Sequence, residues 1–369
     1  MTDTPASHMD DALAELALVA RSGTSTTAAF EDAIRGVWEA AARTPPEKAS
    51  AAISTLLPLL SITSAVRAGF VALCCGGLVE RGAGPDIALG VVVSRLRGVL
   101  ADAAAFAEAA LKLAGPAESF GADADLAAMV DELGSQVAQD HPRLAWAWAA
   151  TDLFGRASIA MLGRSKTGRQ AARRDPELVG GLARLAGVQP VANWLSQLLA
   201  VLDDEDLLIL HPGLGRGYRV RVSGLADNLQ LHTLLAGALV GDPAQGWLPG
   251  QRPSAASLAA ARGEAVAGDS PVVQAVFNLV EWRALDAAGR LPAGGDNAHW
   301  IWGEGAPGDI EPFEGLRVIL LGDPPNARSW PAEARFPGLA AEFTVLEQLD
   351  TAAVRAWLKR LAAAGQAPR

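Results

Sequence analysis

The spacing of apolar residues divides the chain near residue 202. Up to that point apolar side chains recur at helical intervals, as with Phe30, Ile34 and Val37. Caps and Gly-Pro breaks separate the segments. The predicted helices are Asp10–Ala20, Thr26–Ala42, a helix from Pro45-Pro46 through Leu60, Ser64–Arg81, Asp86–Leu113 with a break or kink near Gly98, Asp123–Val137 and Pro142–Leu162.

After Val201 short apolar runs are bounded by Gly and Pro, which is typical of strands. The predicted strands are Leu207–Leu210, Tyr218–Val222, Val273–Trp282, His299–Trp302, Leu316–Leu321 and Glu342–Leu346. The predicted helices of this region are Asn228–Val240, Ala255–Arg262 and Thr351–Ala363. We therefore expect an α+β multidomain protein. Residues 1–202 form an all-α bundle or HEAT-like helical pairs, and residues 203–369 form a domain with a mixed sheet.

The short stretch Leu207–Gly241 contains a predicted strand, a glycine-rich turn, a second strand and a helix. Gly213, Gly215 and Gly217 lie between two strands, so they predict a hairpin turn. A phosphate-binding loop would stand between a strand and a helix. At the helix start, Asp227 and Gln230 have the spacing of a capping box, which leaves Asn228 and His232 without a structural explanation.

A small-molecule pocket is one interpretation of the second region. On a strand, Trp300, Trp302 and Glu304 would share one face and place two aromatic surfaces beside a carboxylate. The polar groups lining the pocket would be Arg219, Arg221, Asn228 and His232. An alternative is that the tryptophans fill a seam between domains. The loop with Arg328-Ser329-Trp330 also follows an apolar strand, where functional loops are common.

Three histidines raise the question of a metal site: His211, His232 and His299. Their separations match no zinc spacing, so we expect neither a metal nor another cofactor. Whether they converge in space stays open at this point.

Charge and composition narrow the partner classes. The chain has 369 residues and a net charge of −10. Because nucleic-acid binding depends on clustered cations, this charge argues against such a partner. Met1–Thr4 lacks the features of a signal peptide, and the apolar stretch around Leu56 to Val79 carries Pro58 and Arg67. We expect no membrane partner and a cytoplasmic location, and the abundance of Arg and Ala is typical of GC-rich bacterial sequences.

Two further features have competing interpretations. Cys74 and Cys75 are adjacent in an apolar stretch, which favours buried free thiols over a vicinal disulfide. The segment 164–174 is basic and contains no acid. It is either a partner-binding patch or a solvated helix face. Its cations are Arg164, Lys166, Arg169, Arg173 and Arg174.

Two functional hypotheses follow. The first is a non-enzymatic protein-interaction protein, such as an adaptor, a regulator or a neutraliser, because no complete catalytic signature is present. The second is a small-molecule enzyme or ligand sensor with a Trp/Glu/His pocket in the C-terminal domain. The sequence does not establish whether the protein is an enzyme.

Overall fold

The computed structural model describes residues 5–22, 25–116, 120–121, 124–291 and 297–365. The chain forms two compact units, Met1–Leu199 and Ala200–Arg369. The first unit is helical, and the second contains a mixed β-sheet with helices on both faces. This is the predicted α+β architecture in two parts. Met1–Thr4 and Asp123, the predicted start of one helix, lie outside the described residues.

Several helices of the first unit begin after a residue whose side chain accepts a hydrogen bond from the first turn. Ser64 accepts from the Arg67 N–H at 3.4 Å, and Asp125 accepts from the Ala128 N–H at 3.0 Å. The helices are α1 Pro5–Arg21, α2 Thr27–Arg43, α3 Pro46–Leu56, α4 Ala65–Glu80, α5 Asp86–Ala114, α6 Leu126–Asp140, α7 Pro142–Leu162, α8 Lys166–Arg173, α9 Pro176–Leu185 and α10 Pro190–Leu199.

Helix α5 runs through Gly98 without interruption, so the predicted break there is wrong. Its buried side chains keep helical spacing on both sides of the glycine, from Val92 and Leu96 to Leu100 and Ala103. Packing of that continuous stripe outweighs the roughly 1 kcal/mol by which a single glycine disfavours a helix interior.

Helix α7 lies at the centre of the first unit and packs against α4, α5, α6 and α10. Small residues permit this close packing. A Cβ on Gly76 of α4 would lie 3.2 Å from the Ala157 Cα of α7. At the contact between α7 and α10, Gly155 of α7 leaves room for Val191 of α10. Helices distant in sequence thus share one core, which is the arrangement of a bundle.

The second unit is built around a β-sheet. Its elements are β1 Leu202–His211, β2 Arg216–Leu225, α11 Asn228–Leu239, α12 Ala255–Ala261, β3 Val272–Gln274, β4 Asn278–Glu281, β5 Pro312–Phe313, β6 Leu316–Gly322, β7 Ser329–Pro331, β8 Glu342–Leu349 and α13 Thr351–Gly365. The strand order in the sheet is β4-β6-β1-β2-β8, and β5 also pairs with β6. The β1–β6 pair is parallel and the other pairs are antiparallel. A separate ladder joins β3 and β7.

Strand β1 is buried on both faces, as its apolar run predicts. Leu207 and Ile209 pack in the core that includes α11 and α12, while Leu208 and Leu210 pack in the core that includes α13. Full burial of each such side chain stabilises the fold by about 1.5–3 kcal/mol. The alternation along β1 therefore fixes which helices cover which face.

β1 and β2 are joined by a hairpin turn, as predicted. The turn contains Gly213 and Gly215, whereas Gly217 lies within β2 and pairs with Leu210. Gly215 has φ +61°, a left-handed conformation that glycine adopts without strain. His211 begins the turn, and its Nδ1 accepts the Leu214 N–H at 3.3 Å. A strand follows the turn, so its amides do not combine with a helix N-terminus to bind an anion.

The strand predicted at Val273–Trp282 is two short strands, β3 and β4. Between them the backbone leaves the sheet, because the Ala275 N–H donates to the Arg328 carbonyl at 2.8 Å and the Phe277 N–H lies 3.2 Å from His232 Nε2. These partners are distant in sequence, so the local apolar pattern does not reveal the interruption.

Candidate functional site

The start of α11 is capped largely as its sequence predicts. Asp227 Oδ1 accepts the Gln230 N–H at 2.7 Å. The Gln230 side chain accepts the Ala226 N–H at 2.9 Å, one residue earlier than in a standard capping box. It also donates to the Ala261 carbonyl at 2.7 Å, which ties α11 to α12. Burial raises the pKa of Asp227 above its usual range.

Residues 300–305, which we call the tryptophan turn, accept hydrogen bonds from the first amides of this helix. The Asn228 N–H donates to the Gly305 carbonyl and the Leu229 N–H to the Gly303 carbonyl, each at 3.0 Å. The Asn228 side chain donates to the Trp302 carbonyl at 2.8 Å. The helix N-terminus is therefore occupied by the protein's own carbonyls and is not an anion site.

The predicted strand His299–Trp302 is wrong. Residues 297–299 form a 3₁₀ turn, and Trp300 makes a single bridge with Val280 of β4. The Ile301 N–H donates to the Leu279 carbonyl at 2.9 Å, after which the chain turns to meet α11. Strand alternation therefore does not place Trp300, Trp302 and Glu304 on one face. The tryptophan turn instead covers the outer edge of β4.

The two tryptophan rings nevertheless meet. Their centroids are 5.5 Å apart, and Trp302 is 52% exposed. The Arg328 guanidinium lies 5.6 Å from the Trp300 ring centroid and donates to Asn278 Oδ1 at 3.1 Å. Glu304 is exposed on the same turn. The two aromatic rings and the Arg328 cation thus form one surface. Hydrogen bonds hold the backbone of the turn and the Arg328 side chain.

His232 lies beneath this region, and 4% of it is exposed. Its Nε2 is 3.2 Å from both the backbone N and the carbonyl O of Phe277, and its ring meets Trp330 edge-on at 4.9 Å. Burial lowers the pKa of His232 to about 4, so the ring is neutral at pH 7. The polar helix face predicted for Asn228 and His232 is wrong, because both side chains are buried and attach α11 to neighbouring segments.

Arg219 and Arg221 lie elsewhere. Both bind Asp206 of β1, at 3.3 and 2.7 Å, and their register places them on the α13 face of the sheet. Helix α11, with Asn228 and His232, covers the opposite face. A single pocket that combines these arginines with the α11 side chains is therefore wrong.

The histidines do not form a metal centre within the described part of the chain, where no group of three or more His, Cys, Asp or Glu side chains is arranged to hold a metal. His211 and His232 both contact Phe277, with ring centroids 6.4 and 6.1 Å from it. The Nδ1 atom of His299 lies 3.7 Å from Oε2 of Glu281. Desolvation lowers the pKa of His211.

The basic segment 164–174 stabilises helix ends more than it forms a surface. Arg169 is buried and donates to the Leu162 and Gly163 carbonyls at the end of α7. Arg173 donates to the Leu199 carbonyl at the end of α10, at 2.6 Å. Arg side chains are favourable at helix C-termini because unpaired carbonyls collect there. For Arg169 the interpretation as a partner patch or solvated face is wrong.

The other cations of this segment are less buried. Arg164 donates to the Ala160 carbonyl at 3.4 Å, while Lys166 and Arg174 are exposed. The buried contacts of Arg169 depend on the way α7 ends, which a count of charges along the sequence cannot show.

The cysteines are free and buried, as predicted. Burial raises the pKa of both thiols, that of Cys75 to about 12. Thiols so far from ionisation are poor nucleophiles, so Cys74 and Cys75 belong to the core of the first unit.

Within the described residues, no helix combines the length and apolar character needed to cross a bilayer. The chain matches no protein-family model, no curated protein and no solved structure.

Proposed function

We propose that this protein is a non-enzymatic protein-interaction protein, such as an adaptor, a regulator or a neutraliser. Its contact surface would be formed by Trp300, Trp302 and Arg328. The observation that carries the proposal is Trp302, a large aromatic side chain that is 52% exposed although its backbone is fixed by hydrogen bonds. Tryptophan and arginine are the residue types most enriched at the energetic centres of protein interfaces.

The hydrogen-bonded backbone of the tryptophan turn supports this proposal. Ordering a flexible side chain or loop on binding costs affinity, and that cost is smaller where the free protein already holds the bound conformation. The carbonyls of Trp302, Gly303 and Gly305 all accept hydrogen bonds from the first residues of α11. Asn228 thus acquires a role that its sequence position alone does not explain, since it positions the tryptophan turn.

The charge of the chain supports a protein as the partner. A net charge of −10 disfavours nucleic acid, and Glu304 adds an exposed polar side chain to the turn that carries Trp302, as in the polar rim of an interface. The two buried free thiols suit a reducing compartment, which supports the proposed cytoplasmic location.

The experiment is partner capture with matched tryptophan variants of the full chain. Proteins retained by the wild type would be identified, one candidate purified, and its affinity measured by calorimetry. Trp302→Ala should weaken that affinity at least about 30-fold, corresponding to the roughly 2 kcal/mol of an interface hot spot. The control is Trp146→Ala on α7, which removes a tryptophan that is 62% exposed in the other unit.

Equal affinities of Trp302→Ala and wild type for the purified partner would contradict the proposal. Loss of binding by Trp146→Ala instead would assign the interaction to the helical unit. Circular dichroism on each variant separates a lost contact from a lost fold.

A ligand sensor or small-molecule enzyme is the second candidate, favoured by one observation. Asn228 Oδ1, His232 Nδ1 and Arg328 Nε are buried and have no hydrogen-bond partner among the described residues. Natural proteins usually satisfy such atoms, or use them to bind something. A thermal-shift screen of metabolites tests this function. A ligand that stabilises the wild type but not His232→Ala would favour it.

A further inference from the structure

Strand β8 forms the other edge of the sheet. Within the described part of the chain it pairs with β2 alone, from Gly217↔Leu349 to Ser223↔Glu342. Every second residue of an edge strand directs its backbone N–H and C=O away from the sheet, where a further strand can bind them. β8 contains no proline, so none of its outward amide hydrogens is missing.

The charges on one face of the sheet alternate from strand to strand toward this edge. Asp206 of β1 binds Arg219 and Arg221 of β2. Arg219 in turn lies directly opposite Glu347 of β8, and Glu342 occupies the same face opposite Ser223. The order is therefore acidic on β1, basic on β2 and acidic on β8. Opposite charges in directly opposed positions stabilise a strand pair, so the next strand in this series would be basic.

The other face of β8 is apolar. Phe343 and Val345 are half-buried and pack against the core under α11. Glu342 to Val345 thus alternate between acidic or polar residues on one face and apolar residues on the other. A strand that continued both faces would alternate between cations and β-branched residues.

Space is present beside the first half of β8. A cleft of about 370 Å³ lies along Ala340–Thr344 and is also lined by Arg262 and Glu264. The regular pairing of β8 extends from Glu342 to Val345, before the register shift that leaves Leu346 unpaired and 46% exposed. An added strand would therefore lie mainly along Glu342–Val345.

A second copy of this chain fits the edge poorly. Pairing β8 with itself would bring Glu342 and Glu347 of both copies together and supply no cation from either strand. Carboxylates that approach in this way repel each other.

We infer that the outer edge of β8 binds an extended segment of a partner protein, with lysine or arginine facing Glu342 and Glu347 and apolar residues facing Phe343 and Val345. The binding mode is β-strand addition, in which main-chain hydrogen bonds supply affinity and alternate side chains supply specificity. This site is separate from the tryptophan turn, which covers β4 at the opposite end of the strand order.

The test uses the full chain and fluorescent octapeptides, measured by anisotropy. One peptide alternates lysine with valine, and its counterpart carries glutamate for lysine. The lysine peptide should bind about tenfold tighter, and Glu342→Lys/Glu347→Lys should reverse the preference. The matched control, Asp131→Lys/Glu132→Lys on exposed positions of α6, makes the same change in net charge and should leave binding unchanged.

Two lysine peptides with N-methyl groups on alternate amides separate strand pairing from simple charge attraction. One methylation pattern should abolish binding and the other should preserve it, because only one edge of the peptide would face β8. Trp302→Ala should bind the lysine peptide as well as the wild type does.

Three results would overturn the inference. They are equal binding of the lysine and glutamate peptides, equal binding of the two N-methylated peptides, and a dimer of this chain that dissociates in the Glu342→Lys/Glu347→Lys variant. The last result would assign the edge to a second copy.

Discussion

The two edges of the sheet differ in whether another segment of the chain covers them. At β4 the edge is covered by the chain itself, since Ile301 bonds to Leu279 and the following turn is tied to α11. At β8 no other described strand covers the edge, and Glu342 and Glu347 stand along it. The closed edge displays aromatic side chains on a turn whose backbone is held by hydrogen bonds, whereas the open edge displays backbone groups and charge. We therefore propose a different kind of protein contact for each edge.

Gly303→Val should have the largest effect, because it breaks the closed edge. A Cβ at this position would overlap the Leu229 side chain, so the turn would be displaced and two amides of α11 would lose their acceptors. We expect a loss of about 3 kcal/mol in unfolding free energy by urea titration. Gly98→Ala, at a position with open space, is the control and should not destabilise.

The next effect is a pH dependence that originates at His232, which holds Phe277 just before β4. Its folded pKa of about 4 lies below the unfolded value near 6.5, so the unfolded state binds more protons between these values. The stability contribution is complete above pH 6.5 and decreases as the pH falls toward 4. We expect a loss of about 2 kcal/mol between pH 7 and pH 5.

Urea titrations at the two pH values check this prediction, with His232→Leu as the comparison. The variant should lose less stability than the wild type over the same pH interval. Equal losses of unfolding free energy in His232→Leu and the wild type would show that groups other than His232 cause the acid sensitivity.

Asn228→Ala should have a smaller effect that is confined to the tryptophan turn. It removes the side-chain hydrogen bond to the Trp302 carbonyl but keeps the two backbone hydrogen bonds to Gly303 and Gly305. We expect a loss of about 1 kcal/mol by urea titration, and a shift in the tryptophan fluorescence spectrum. A loss as large as that of Gly303→Val would show that the side chain alone holds the turn.

Glu347→Lys at the open edge should have the smallest effect on stability. The residue is exposed and faces Arg219, which already binds Asp206. We expect a loss below about 0.5 kcal/mol in unfolding free energy. A larger loss would mean that Glu347 has a structural role in the folded chain.

The sequence predicts most of the fold because the patterns of β1, β2 and α11 are local. The apolar run Leu207–Leu210, the alternation Tyr218–Val222 and the cap at Asp227 each depend on neighbouring residues, and the structure confirms all three. Helix α5 shows the limit of such rules. A glycine predicted to interrupt it does not, because the buried stripe continues.

The candidate site is harder to predict because it is formed by contacts between residues that are distant in sequence. The sequence pattern points to Trp302, yet the turn that carries it depends on hydrogen bonds that α11 donates across more than seventy residues of sequence. The sequence does not point to Asn278, since nothing local distinguishes an asparagine that will bind Arg328. The charge pattern of residues 164–174 does not reveal that Arg169 is buried, because the carbonyls that it binds belong to the end of another helix.

Amide hydrogen exchange tests the contrast between the two edges most directly. The account predicts strong protection of the Ile301 N–H and an alternating pattern along β8, in which the amides that bond to β2 are protected and the outward ones exchange rapidly. Rapid exchange at Ile301 would contradict the closed edge at β4. Uniform protection along Glu342–Val345 would contradict the open edge at β8.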